Sequence, residues 1–164
     1  MIKTNVQLLS QKSICHGKLG ELSSAIESCK KIIGVAPENI VAKANLLEYL
    51  ALSGQKDQFE LAYAAYKNEI DQYEDSNVIE YLNILLDLMT GGLKAAVVGL
   101  DAFAKKFPGG ARKHLGTWSF DEVLNLALKL PAGKQKELLV SAHHFFNGAM
   151  SSDDFVTYLA TQSN

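Results

Sequence analysis

Gly20-Glu21-Leu22-Ser23-Ser24-Ala25-Ile26-Glu27-Ser28-Cys29-Lys30-Lys31-Ile32-Ile33-Gly34-Val35-Ala36-Pro37-Glu38-Asn39 holds a turn, a helix and a helix stop, in that order. Gly20 closes one apolar-periodic stretch and opens another. From Leu22 to Val35, the residues Leu22, Ala25, Ile26, Cys29, Ile32 and Ile33 share one helical face, and Glu27, Lys30 and Lys31 share the opposite one. Pro37 ends the helix, because proline supplies no amide hydrogen and disfavours helical backbone in the residue before it. Gly54 stands 34 residues after Gly20 in the same kind of setting. A fixed period of that length marks a stacked helical array, in which each unit buries its apolar face against its neighbours.

Working outward, Thr4 to Leu19 reads as the antiparallel partner of that helix, with Val6, Leu9, Ile14 and Leu19 at roughly helical spacing. A second hairpin follows. Its first helix runs from Ile40 to Leu52 with Val41, Ala44, Leu47, Leu50 and Ala51 apolar; Ser53-Gly54 turns; Asp57 is expected to cap a helix from Gln58 to about Tyr73. A third begins near Asn77, after a Glu74-Asp75-Ser76 insertion. It holds Ile79, Leu82, Leu86 and Met89, turns at Gly91-Gly92, and continues through Leu93, Ala96, Val97, Leu100 and Phe103 to Pro108.

Over residues 6–110 this pattern resembles the tetratricopeptide repeat. The turn glycines Gly20, Gly54 and Gly91, the small residues Ala25 and Ala96, and the helix stops Pro37 and Pro108 carry the resemblance. It implies an all-α fold: a short right-handed α-solenoid of three hairpins (6–39, 40–73 and 77–110), followed by a helical cap. The resemblance further implies that the first helices line a concave groove that receives a peptide. Lys18, Ala44, Glu48, Leu52, Tyr81, Leu85, Leu88 and Met89 are the residues expected there. Leu85, Leu88 and Met89 beside Tyr81 would take an amphipathic helix, with Lys18 and Glu48 setting orientation. The alternative is that this stripe packs on the chain's own carboxy-terminal helices, with Phe155, Tyr158 and Leu159 as plugs. The family's carboxylate-clamping positions correspond to Ser10, Ile14, Asn45, Val78 and Leu82, of which only Asn45 fits, so that class of ligand is disfavoured.

Beyond Pro108 the repeat pattern dissolves. Residues 111–118 read as a loop, and 119–164 as a cap of three helices packed as one domain with the repeats. Ser119 with Glu122, and Ser151 with Asp154, have capping-box spacing. Trp118 is expected to staple the first of these helices to the core.

The net charge of −2, without a concentrated basic stripe, argues against nucleic acid. Gly109 to Gly116 lacks the lysine followed by Ser or Thr of a P-loop, and no strand precedes it. His143 and His144 are neighbours about 100° apart on a helix, so they cannot share a metal. Cys15, His16 and Cys29 lack close ligand pairing, and both cysteines are expected to be buried free thiols. No nucleophile–base pair or dinucleotide fingerprint is present, so neither catalysis nor a cofactor is expected. With no apolar stretch of membrane-spanning length and no secretory leader, a cytoplasmic protein is expected. The functional expectation is a non-catalytic interaction scaffold or adaptor, or alternatively a self-associating assembly domain or a chaperone-like repeat protein without a free peptide ligand.

Overall fold

Residues 2–73, 77–115 and 120–162 are described in a computed structural model. The chain is all-α. Among the described residues there are nine α-helices, packed largely in sequence as antiparallel pairs. They are α1 (Ile2–Leu19), α2 (Leu22–Val35), α3 (Ile40–Leu52), α4 (Lys56–Tyr73), α5 (Asn77–Thr90), α6 (Leu93–Lys106), α7 (Asp121–Lys129), α8 (Lys134–Phe146) and α9 (Ser152–Gln162).

The hairpin turns share one backbone device. Gly20, Gly54 and Gly91 have φ of 75°, 65° and 84°, a left-handed conformation in which a side chain is strained. The amide after each glycine donates to the carbonyl five residues earlier: Glu21 to His16 at 2.8 Å, Gln55 to Leu50 at 3.0 Å, and Gly92 to Asp87 at 2.8 Å. This closure satisfies carbonyls that the helix end would otherwise orphan. Gly148 (φ 80°) repeats it between α8 and α9, with Ala149 donating to His144 at 2.8 Å. Asn39 then starts α3, its Oδ1 accepting from the Ala42 amide at 3.0 Å.

Two compact units divide the chain within α5: Met1–Leu82 and Asn83–Asn164. In the first, α1 packs on α2, α2 on α3 and α3 on α4. Ala25 and Cys29 are fully buried on α2. The helix α3 is buried from Ala42 to Leu52 except at Asn45, so it is a central helix, apolar on nearly all sides. Its one buried cation is Lys43. The ammonium lies 2.6 Å from Glu69 Oε2 and 5.1 Å from the centre of the Tyr66 ring, so the aliphatic stem fills the core while α4 supplies the counter-charge. Tyr49 closes against α1 at Gly17, where an added Cβ would lie 2.7–2.9 Å from three atoms of the tyrosine.

In the second unit α5 meets α6 at Gly99, where an added Cβ would approach Ile84 Cγ1 to 2.9 Å. The helix α7 packs on α8, and α9 returns to pack on α6 and α8. Aromatic rings fill the centre: Phe145 stacks on Phe155 at 4.5 Å, Phe120 on Phe146 at 5.4 Å, and Phe103 meets Phe146 edge-on at 5.6 Å. Ser152 Oγ donates to the Phe107 carbonyl at 2.6 Å, tying the start of α9 to the end of α6. Ser151 caps α9, its Oγ accepting from the Asp154 amide at 3.1 Å while donating to the Asp154 carboxylate at 2.7 Å. The spacing of those two residues anticipated this cap.

Several expectations are corrected. Asp57 lies inside the first turn of α4, which begins at Lys56; there its carboxylate faces the positive end of the helix without capping it. Ala111–His114 forms a short 3-10 helix within the expected loop. Cys15 is exposed, and only Cys29 is buried. On α1, Ile14 and Leu19 are 42% and 65% exposed, and on α3 Val41 is 53% exposed, so these apolar residues do not face the core. The expectations for Glu74-Asp75-Ser76, Trp118 and Ser119 fall outside the described residues.

Candidate functional site

Three open grooves are the surfaces to weigh, beside the residues expected to bind peptide. Of those residues, Lys18, Ala44, Glu48, Leu52 and Tyr81 belong to the first unit, and Leu85, Leu88 and Met89 to the second. Lys18 is exposed and Met89 half-buried, but Ala44, Glu48, Leu52, Tyr81, Leu85 and Leu88 are 1%, 4%, 1%, 1%, 2% and 1% exposed. A peptide cannot touch those six side chains in this conformation.

Within the first unit, the Tyr81 hydroxyl donates to Glu48 Oε1 at 3.1 Å, which joins two of the expected residues. Burial pushes the nearby Cys29 thiol up to about 11; a hydrogen bond with Ser13 opposes that shift and the Glu48 charge adds to it. Such a thiol is inert at neutral pH. Within the second unit, Gln135 Nε2 on α8 donates to the Leu88 carbonyl at 2.7 Å, so α8 lies over the end of α5. Phe155 and Leu159 on α9 are buried as well, with Phe155 stacked between Phe145 and Tyr158.

Two open grooves lie on the first hairpin, and a third, of about 420 Å³, lies in the second unit between the end of α6 and α9. Of the hairpin's two, one is apolar: about 470 Å³, lined by Asn5, Leu8, Leu9 and Val35, with Leu8 63% and Val35 54% exposed. The other is polar: about 350 Å³, with Lys12 and His16 contributed by α1 and Ser24, Glu27, Ser28 and Lys31 by α2. Sequence reasoning assigned neither. Leu8 fell outside the expected face of α1, and the Lys31 side of α2 read as plain solvated surface. The available signal was the low apolar density of α1 compared with α3.

No family model matches the chain. Comparisons with curated proteins and with solved structures also return no match.

Among the described residues no three His, Cys, Asp or Glu side chains are gathered to hold a metal ion, and no helix is long and apolar enough to cross a membrane. His143 is 6% exposed, with Asn147 Nδ2 3.1 Å from its Nε2. Burial and the neighbouring His144 lower its pKa, and Asp121 opposes them. The exposed His144 ring stands edge-on to it at 5.7 Å.

Proposed function

We propose that the chain is a non-catalytic interaction module of the tetratricopeptide type that captures an amphipathic helix or peptide on its first hairpin. The carrying observation is the open apolar groove at Asn5, Leu8, Leu9 and Val35. The repeat identity is supported by the shared closure at Gly20, Gly54 and Gly91, and by fully buried Ala25 and Ala96 on the second helices. Burial of Ala44, Glu48, Leu52 and Tyr81 in the first unit, and of Leu85 and Leu88 in the second, favours this groove over those residues as the place of capture.

Burying one leucine contributes about 1.5–3 kcal/mol, so Leu8→Asp is expected to weaken a groove-bound helix at least about tenfold. The test uses amphipathic helices selected by display on the wild-type protein, with affinity measured by fluorescence anisotropy. Leu61→Asp is the control, because Leu61 is 75% exposed on α4. Equal affinity for wild type and both variants would sink the reading.

A second reading is self-association through the same face, favoured by uncovered Leu8 and Leu19, which share one side of α1. Light scattering across a dilution series separates the two: a monomer at every concentration leaves only helix capture.

A further inference from the structure

The polar groove of the first hairpin is built differently from an ordinary solvated helix surface. We propose that it is a binding site for a phosphate monoester.

Lys12 from α1 and Lys31 from α2 line one cavity from the two helices of the hairpin. Neither takes part in an ion pair among the described residues, in contrast to Lys30, Lys43, Lys56 and Lys105. Between them lie serine hydroxyls. Those of Ser23 and Ser24 make no hydrogen bond among the described residues, and Ser28 Oγ donates to the Ser24 carbonyl. His16 adds an imidazole whose Nδ1 is engaged by Glu21 Oε2 at 2.5 Å, leaving Nε2 for a ligand.

Ser23 and Ser24 also sit in the first turn of α2, a helix of 14 residues whose start carries no side-chain cap. Two lysines share this hydroxyl-bearing cleft with one carboxylate, Glu27, which has its own partner in Lys30, so the balance of charge in the lining favours an anion. The volume of about 350 Å³ lies at the small end of ligand sites, near 300–1,000 Å³. It suits a phosphoryl group with a short attachment and not a nucleic-acid strand. Glu27 is the opposing charge on the rim, and Lys30 Nζ lies 3.5 Å from it.

A phosphorylated serine or threonine side chain and a small phosphorylated metabolite present the same chemistry, so the test has separate arms for them. Amide chemical shifts of the full chain are followed during titration with inorganic phosphate, glycerol phosphate and a phosphoserine peptide, with sodium chloride at matched ionic strength as reference. Saturable shifts confined to residues near Lys12, His16, Ser24 and Lys31 are expected with the phosphates and not with chloride. Lys12→Ala and Lys31→Ala, each removing one charge-assisted hydrogen-bond donor, should each weaken binding at least about tenfold. Glu27→Gln should tighten it, and Lys105→Ala on α6 should leave it unchanged. All four positions are on the surface, and unchanged thermal melts will show that the fold is intact. Tighter binding of the phosphopeptide than of glycerol phosphate assigns the site to a modified protein, and the reverse assigns it to a metabolite. Shifts that do not saturate, that chloride reproduces, or that survive both lysine substitutions would overturn the site.

Discussion

Alanine at Gly17 and alanine at Gly34 should move stability in opposite directions. Both glycines lie in the last turn of a helix, α1 and α2 respectively. Replacing glycine by alanine in a helix gains about 0.5–1 kcal/mol, because the glycine chain has more freedom to lose on folding. At Gly34 nothing lies within 4 Å of the new Cβ, so this gain is the whole effect. At Gly17 the new Cβ would sit 2.7 Å from Tyr49 Cε1, 2.8 Å from its hydroxyl and 2.9 Å from Cζ. Tyr49 is 2% exposed, so its ring has little room to retreat. Overpacking of this kind costs about 1–3 kcal/mol, which leaves Gly17→Ala less stable than wild type by up to about 2 kcal/mol. Urea unfolding followed by circular dichroism at 222 nm measures both variants. The midpoint should rise for Gly34→Ala and fall for Gly17→Ala, and Tyr49→Leu in the Gly17→Ala background should recover part of the loss. Equal stabilisation by both alanines would refute the close approach of α1 to Tyr49.

Leu88→Asp places a carboxylate at a site 1% exposed, and a loss of about 3–5 kcal/mol with visible loss of helicity is expected; retained helicity by circular dichroism would show that Leu88 is surface. The two thiols should react in separate phases with a thiol-specific disulfide reagent at pH 7.5, Cys15 rapidly and Cys29 only on unfolding, since Cys29 is 0% exposed and its pKa is pushed to about 11. A single fast phase of two thiols would contradict that. His143 has its pKa lowered in the folded chain, so the unfolded chain takes up this proton first as pH falls. Its contribution to stability is whole above about 6.5 and is lost as pH drops from there toward the folded value. The urea midpoint of wild type should therefore fall more steeply between pH 7.5 and pH 5 than that of His143→Gln, and parallel slopes would count against the assignment.

Local rules were strong enough to locate most helices. Pro37, Pro108 and the turn glycines are punctuation whose effect does not depend on tertiary context, so α2, α3 and α6 end where the sequence indicates. Capping chemistry at Ser151 was equally local. Burial was not legible in the same way, because a period of 3.6 identifies a face only when a helix has a polar side. The helix α3 has almost none, and Lys43 and Glu48 are buried through partners 26 and 33 residues away, Glu69 and Tyr81. The stripe around Leu85 and Leu88 met the same difficulty: a groove-lining helix and a central helix share one apolar pattern, and only the packing of other elements distinguishes them. The grooves of the first hairpin escaped notice for the converse reason. Lys12, Ser24 and Lys31 are polar residues of ordinary kind, and their convergence is a property of the α1–α2 pairing.

The way α9 comes back to α6 separates the two units in the order of their making. In the first, the principal packing joins each helix to the next in the chain, so contacts form between neighbours that are already close. In the second, the Ser152 to Phe107 bond and the α6–α9 packing close a loop of 45 residues, and that closure must be complete before its contacts reward it. During synthesis the first unit also emerges first. The hairpin bearing the apolar and the polar groove can thus be in place while the aromatic centre of the second unit is still unassembled, and a ligand on either of these two grooves would meet a chain whose carboxy-terminal half has yet to fold.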